Sequence, residues 1–162
     1  MWNSECEAII PFCFGQGVDI GCGGRSINNK VIRVDANEAW DPDVIASGDN
    51  LPFEDDIFDY VVSIHSFEHF EDQIKTLKGW LRVIKSGGYI NIVHPDVDYT
   101  KKQEPPENNP LLKRDPLYKH YFERNLHDFL EFLHTQRKLG FKIVTFGEAQ
   151  KGWSFYVILQ KI

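Results

Sequence analysis

Short apolar stretches alternate with polar turns along the chain, and this pattern predicts a sheet of seven strands. The expected strands are 17–21, 31–35, 44–46, 58–64, 89–93, 141–146 and 154–160. Residues 58–64 are apolar on both faces, which is typical of a central strand in a parallel sheet. The last two strands are joined by a loop containing Gly147 and Gly152, which indicates an antiparallel pair.

Two segments carry apolar residues at helical spacing. The first begins after residues 65–72, and its apolar positions are Ile74, Leu77, Trp80, Leu81 and Ile84. We expect this helix to end at Gly87-Gly88, because glycine commonly terminates helices. The second helix is predicted over 117–139, with Gly140 as its stop. Only a turn or two of helix is expected over 25–30, between the first two strands.

Strands that alternate with helices and end in a hairpin predict the α/β class, with a doubly wound, mostly parallel sheet between two covering layers. The length of 162 residues suits one domain. Residues 100–116 hold four of the eight prolines, and we expect them to form a lid-like loop. In such a sheet a ligand lies at the carboxyl ends of the first strands.

Charge and cysteine content narrow the function classes. A formal net charge of −6 argues against broad nucleic-acid or membrane binding, which needs a basic face, but suits a cationic small ligand. Cys6, Cys13 and Cys22 lack metal-type spacing and are expected to be reduced thiols. The acidic N-terminal residues do not resemble a signal peptide, and no apolar run reaches membrane-spanning length. We therefore expect a cytoplasmic protein.

A glycine-rich turn follows the first strand, with Gly21, Gly23 and Gly24 in four positions. Glycine permits backbone angles closed to other residues and close approach of a ligand. The turn lacks the third glycine of G-x-G-x-x-G, and Asp35 follows sooner than the ~20 residues typical of a dinucleotide site. An NAD-dependent oxidoreductase is therefore disfavoured.

Three carboxylates, Asp19, Asp35 and Asp49, lie at or just beyond the ends of the first three predicted strands. Such strand ends line one crevice of a doubly wound sheet. A carboxylate after the second strand is placed to accept hydrogen bonds from ribose hydroxyls, and Asp49 is placed to accept one from an adenine amine. Each alone is equally consistent with a turn cap, but the three together favour a binding site.

Four segments resemble successive motifs of the class I S-adenosylmethionine-dependent methyltransferases. They are VDIGCGG, VIRVDAN, SGDNLPFEDDIFDYVVSIHSFEHFED and LKGWLRVIKSGGYINIV, within about residues 17–95. The similarity is close to the small methyltransferase-11-type branch, which has L-P-F-x-D-x-x-F-D followed by an E-H pair. The resemblance implies a Rossmann-like, three-layer fold over residues 1–162 with an antiparallel last strand, and S-adenosylmethionine as the cofactor.

The resemblance also implies which residues bind the cofactor, all of them in turns at strand ends. The methionine half would be held by Asp19, Gly21, Cys22 and Gly23, the ribose by Asp35, the adenine by Ala36, Asp49, Asn50 and Leu51, and the sulfonium would lie beside Ile64 and His65.

Two histidines are candidates for a catalytic base, which is needed only when the acceptor is a poor nucleophile. His65 is the first candidate and His94 the second, although a histidine before proline is more often a loop residue. The segment from His65 to His69 also matches the zinc-protease pattern H-x-x-E-H. That pattern needs both histidines on one helical face, whereas His65 ends a strand, so we expect no metal. Glu68 is expected to open the following helix.

These observations predict methyl transfer from S-adenosylmethionine to a small-molecule or glycan-pathway acceptor. The alternative is a cofactor-binding or degenerate domain that needs or regulates a partner protein. In that case a partner chain or a second copy would cover the cleft. Turnover by the isolated protein distinguishes the two.

Overall fold

The computed structural model describes residues 4–98 and 120–162, and the predicted seven-stranded sheet is its central element. The strands are β1 (Gly17–Ile20), β2 (Ile32–Asp35), β3 (Val44–Ile45), β4 (Phe58–Ile64), β5 (Ile84–Pro95), β6 (Phe141–Gln150) and β7 (Ser154–Lys161). The α/β fold class is confirmed.

The strand order is β3-β2-β1-β4-β5-β7-β6. Strands β1 to β5 pair in parallel, while β7 is antiparallel to both β5 and β6. The chain runs outward from β1 to β3 and then returns to place β4 on the other side of β1. This reversal creates a crevice at the carboxyl ends of β1 and β4, where open α/β sheets bind ligands.

Both α-helices that the structure describes pack on one face of the sheet. They are α1 (Gln73–Val83) and α2 (Leu126–Thr135), which bury Trp80 and Phe129 against that face. Side chains alternate along β4, so Val61 joins this core and Val62 faces the opposite side. Neither helix is long and apolar enough to cross a lipid bilayer.

The opposite face is covered, within the described residues, by turns and two short 3-10 helices at Ser4–Cys6 and Ile10–Phe12. Cys6 and Ile9 are buried there with side chains of the central strands. Proline stands in the first turn of the second 3-10 helix, where its missing N–H is not needed. This lead-in brings Glu5 to the sheet, as described below.

Helix α1 ends earlier than its apolar pattern predicts. The expected stop at Gly87-Gly88 is wrong, because the helix ends at Val83 and Ile84 already pairs with Phe58 of β4. The glycines lie inside β5 instead, and a Cβ on Gly88 would come within 2.8 Å of the Asp59 carbonyl oxygen. Sheet pairing therefore ends this helix, rather than the glycines.

Helix α2 is also shorter than the predicted span of 117–139. Its N-cap is Asn125, whose side chain accepts a hydrogen bond from the Asp128 N–H at 2.9 Å. An amide side chain at this position favours a helix start, and that local preference prevails over the helical periodicity upstream. The helix ends at Thr135, before the predicted stop, and Gly140 instead ends a following 3-10 helix, Arg137–Leu139, with φ of 91°.

Residues 120–125 form an irregular segment that packs on the loop after β4. The Tyr121 N–H donates to the Glu68 carbonyl oxygen at 2.9 Å, and the Val97 N–H donates to the Arg124 carbonyl oxygen at 3.2 Å. These bonds use groups that a helix would need for itself. The predicted lid at 100–116 lies outside the described residues.

The closing hairpin is confirmed with longer strands than predicted. Gly147 is not in the loop but inside β6, where it pairs with Tyr156 of β7. A Cβ at this position would lie 3.2 Å from the tyrosine ring. The glycine therefore makes room for an aromatic cross-strand neighbour.

Candidate functional site

The turn after β1 is held against β2 by backbone hydrogen bonds and packs on Ser66, which follows β4. The N–H groups of Gly21 and Cys22 both donate to the Val34 carbonyl oxygen, at 2.8 and 3.2 Å. Gly21 has φ of 68°, and a Cβ there would lie 2.4 Å from the Cβ of Ser66. The Ser66 hydroxyl in turn donates to the Ile20 carbonyl oxygen at 2.7 Å. Both the backbone angle and the close approach of Ser66 require glycine at this position.

Asp35, at the end of β2, connects this turn to the next loop. Its Oδ2 accepts from the Gly23 N–H and its Oδ1 from the Asn37 N–H, each at 2.9 Å. A carboxylate oxygen has two lone pairs, so both oxygens keep the capacity for a second hydrogen bond. The carboxylate that organises the turn is therefore also able to accept from a ribose diol.

Asp19 is buried beneath the turn, with 3% of its surface exposed. Burial raises the pKa of its carboxyl to about 7, although the Ile27 N–H and the charge of Arg25 act in the opposite direction. A cationic group placed beside it would favour the charged form. The neighbouring Cys22 has its thiol pKa raised to about 12 by burial, so the thiol stays protonated and is not a nucleophile.

The loop after β3 supplies a charged carboxylate and an apolar side chain. Asp49 accepts hydrogen bonds from the Ser47 hydroxyl and, at 2.9 Å, from the Lys75 ammonium. Both lower the pKa of Asp49 below its ordinary value, Ser47 more strongly. Leu51 is buried, whereas Asn50 is exposed.

The predicted cofactor residues at the first three strand ends lie together. The Gly23–Asp35 hydrogen bond joins the first two turns. A Cβ on Gly48 would lie 2.4 Å from Cγ2 of Ile20, so the loop after β3 touches the end of β1. Ala36 is exposed beside Asp35.

His65 follows β4 with φ of 52°. Its Nε2 lies 2.8 Å from Oε1 of Glu5, and the Ser154 hydroxyl donates to the same carboxylate oxygen. The His65 side chain is 19% exposed, while that of Glu5 is 5% exposed. A buried carboxylate therefore orients a partly accessible imidazole at the sheet edge.

His94 occupies a different environment. Its ring is fully buried and stacks on Phe155, with centroids 5.1 Å apart and an interplanar angle of 15°. Its Nδ1 lies 2.8 Å from the Pro95 carbonyl oxygen, and burial lowers its pKa despite the opposing charge of Glu68. A general base must reach the proton that it removes, so the geometry favours His65 over His94.

Glu68 does not open α1, so that expectation is wrong. Asp72 caps the helix by accepting from the Lys75 N–H at 2.9 Å. Glu68 instead belongs to a separate 3-10 helix, Phe67–His69, and its side chain is buried. The left-handed backbone at His65 separates that residue from the 3-10 helix.

A family model described as a methyltransferase domain matches residues 18–92, which contain the glycine turn, the strand-end carboxylates and His65. This match and the observed sheet support a class I S-adenosylmethionine-dependent methyltransferase. S-adenosylmethionine is the cofactor of this family, and the class I methyltransferase sheet is the one observed here.

Individual relatives are distant. The chain is 28% identical to ajmaline N-methyltransferase of Rauvolfia serpentina in an alignment 109 positions long, which covers 59% of this chain and 36% of that protein. It is 28% identical to an uncharacterized protein of Methanocaldococcus jannaschii in an alignment 159 positions long, which covers 88% of this chain and 72% of that one. The chain therefore spans about a third of the length of the first relative.

The fold is shared with many solved structures. One is a Thermotoga maritima protein described as a SAM-dependent methyltransferase and possible histamine N-methyltransferase, with a TM-score of 0.72 and 22% identity. The alignment covers 98% of this chain and 87% of that one. At 22% identity, this structural similarity shows only that the two chains share a fold.

The residues present fit S-adenosylmethionine in three respects. The glycine turn, with positive φ at Gly21, lies at the carboxyl end of β1, and Asp35 retains acceptor capacity for a diol. Asp19 is a buried carboxyl without a matching buried cation among the described residues, as expected where a ligand brings positive charge.

Sequence reasoning missed Glu5, Ser154 and His120. Glu5 meets His65, 60 positions away, and Ser154 meets Glu5, 149 positions away, only in the fold. The acidic character of the first residues is the one sequence feature that could have drawn attention to Glu5. Nothing in the local sequence distinguishes His120 from other histidines of that segment.

Proposed function

We propose that this methyltransferase transfers a methyl group from S-adenosylmethionine to a small-molecule or glycan-pathway acceptor. The observation that supports the proposal most strongly is the hydrogen-bonded frame in which Asp35 connects Gly23 and Asn37 beside the buried Asp19. At one edge of the sheet, the frame provides hydrogen-bond acceptors for a diol and a carboxylate for a cation. These are the groups that a ribose and a methionine ammonium require.

The cofactor, when bound, supplies a methyl group already activated for transfer by its sulfonium. The protein therefore contributes mainly by alignment of donor and acceptor. Asp35 and the glycine turn would orient the nucleoside and methionine ends. His65, which follows the strand next to β1, would stand at the acceptor side.

An acceptor hydroxyl or ammonium must lose a proton for transfer to proceed. We assign the His65 tautomer in which Nε2–H donates to Glu5, since a carboxylate accepts hydrogen bonds. Nδ1 then carries the lone pair and would take the proton from the acceptor. Glu5 would stabilise the resulting imidazolium, because its carboxylate is buried beside the ring.

Two observations support a small acceptor. The net charge of −6 disfavours nucleic acid, whose phosphates need a basic surface. The similarity to ajmaline N-methyltransferase favours a small-molecule acceptor. The three cysteines are free thiols, and we place the activity in the cytoplasm on that basis.

The test is transfer of labelled methyl groups from S-adenosylmethionine to a panel of amines, phenols, carboxylates and sugars. We expect labelled product with the wild-type protein and strongly reduced product with His65→Asn. The control is His134→Asn, because His134 is exposed on α2. Cofactor-product binding without any turnover would instead support the partner-dependent alternative.

A further inference from the structure

Three metal-ligating side chains meet beside the methyl-transfer site. Glu68, His69 and His120 each offer one ligand atom, and these atoms all lie within 4.8 Å of one another. Nε2 of His69 is 3.9 Å from Oε1 of Glu68. We call these three residues the Glu68 cluster.

The carboxylate of Glu68 is the unusual member of the cluster. Its side chain is 1% exposed, and neither oxygen has a hydrogen-bond donor among the residues that the structure describes. Burying a carboxylate without a hydrogen-bond donor among the described residues is costly, and a bound cation would remove that cost.

Main-chain hydrogen bonds hold His120 next to this carboxylate. The Tyr121 and Phe122 N–H groups donate to the Glu68 carbonyl oxygen, at 2.9 and 3.4 Å. The rings of His69 and His120 meet edge to face, with centroids 4.8 Å apart. The His120 imidazole therefore offers a ring nitrogen to the same point as the other two side chains.

We propose that Glu68, His69 and His120 bind a divalent transition-metal ion, with Zn²⁺ as the best match. Two imidazoles and one carboxylate favour zinc over magnesium or calcium, which prefer oxygen ligands. Zinc bonds are about 2.0–2.2 Å long, so modest side-chain rotations would draw the three atoms together. One tetrahedral position would remain for water.

This site differs from the H-x-x-E-H pattern of the sequence. That pattern would pair His65 with His69, whereas His65 is directed to Glu5 and His120 takes its place from 51 positions downstream of His69. The metal would fill the position beside the buried carboxylate, which explains why Glu68 has no hydrogen-bond donor among residues 4–98 and 120–162. The proposal does not depend on cofactor binding, and it is tested without cofactor.

The experiment uses tag-free protein that has been stripped with a chelator and titrated with Zn²⁺ by calorimetry. We expect one bound ion per chain in the wild type and at least about 10-fold weaker binding in Glu68→Gln and His120→Asn. The matched control is His127→Asn, which removes an exposed histidine 3.5 Å from Glu131 and leaves zinc binding unchanged. Co²⁺ spectra would report tetrahedral nitrogen and oxygen ligands.

Three outcomes would overturn the proposal. They are no stoichiometric zinc binding in the wild type, wild-type affinity in His120→Asn, or Co²⁺ spectra with thiolate bands that point to the cysteines. Circular dichroism and thermal unfolding show whether each variant is folded. If His120→Asn is misfolded, the zinc affinity of His69→Asn is measured instead. His69 is partly exposed at the rim of the cluster, so its substitution disturbs the fold less.

Discussion

The imidazole of His65 lies 2.8 Å from the carboxylate of Glu5, although 60 positions separate the two residues. The contact joins the N-terminal 3-10 helix to the carboxyl end of β4. The same carboxylate oxygen accepts from Ser154 at the start of β7. Three distant segments thus fix one ring beside the predicted cofactor site.

This contact predicts that Glu5 acts as a positioning residue for His65. We expect His65→Asn to lower kcat about 10²-fold, as is typical for loss of a general base. Glu5→Gln keeps the shape but loses the charge that stabilises the imidazolium, so we expect a smaller loss of kcat and a changed pH–rate profile. Steady-state kinetics on the identified acceptor measure both.

The affinity for S-adenosylhomocysteine serves as the control for these variants. It should stay within about 2-fold of wild type in Glu5→Gln, whose side chain is not assigned to cofactor binding, and a larger change in His65→Asn would report the predicted place of His65 beside the sulfonium. A Glu5→Gln protein with wild-type kcat and an unchanged pH profile would show that the 2.8 Å contact is structural only.

Asp19 predicts a specific pH dependence of stability. Its pKa is about 7 in the folded protein against an ordinary 3.8, so between these values the folded state holds a proton that the unfolded chain releases. The contribution of Asp19 to the free energy of unfolding therefore falls as pH rises from about 4 to about 7, and is constant above. The total is at most about 4 kcal/mol.

Urea unfolding of wild type and Asp19→Asn at pH 5 and pH 8 measures this effect. We expect the stability of the variant relative to wild type to increase with pH by a few kcal/mol, because the amide cannot ionise. A difference between the two proteins that does not change with pH would mean that the charge of Asp19 is compensated in the folded state.

The glycine turn provides a matched pair of substitutions. Gly21→Ala adds a Cβ 2.4 Å from the Cβ of Ser66 at φ of 68°, whereas Gly23→Ala adds one at φ of 53° with nothing within 4 Å. We expect a loss of about 3 kcal/mol for Gly21→Ala from strain and overpacking together, and about 1 kcal/mol for Gly23→Ala from backbone strain alone. Chemical unfolding tests the order, and equal losses would contradict the close approach of Ser66.

The sequence predicts the sheet well because strand signals are local. All seven strands, the final hairpin and the strand-end positions of Asp19 and Asp35 follow from apolar runs and turn residues. Helix ends are predicted less well because distant partners decide them. Pairing of Ile84 with Phe58 ends α1. The Tyr121 N–H donates to the Glu68 carbonyl oxygen, and α2 begins only after this segment.

In the candidate site, too, some features follow from the local sequence and others depend on residues that are distant along the chain. Glycine and carboxylate positions could be predicted from motifs, since the turns after β1, β2 and β3 must meet at one edge of a parallel sheet. The surroundings of the histidines could not. His65 and His94 look alike in sequence, yet one is partly exposed beside Glu5 and the other is stacked in the core on Phe155.

Isothermal titration with S-adenosylhomocysteine, on wild type and Asp35→Asn, tests the central claim most directly. We predict that wild type binds and that Asp35→Asn binds about 10- to 100-fold more weakly, because a hydrogen bond to a charged group contributes about 1.5–3 kcal/mol. Asp43→Asn is the control, since its carboxylate holds Arg33 at the neighbouring loop outside the predicted site. No binding by wild type, or equal binding by Asp35→Asn, would contradict the account.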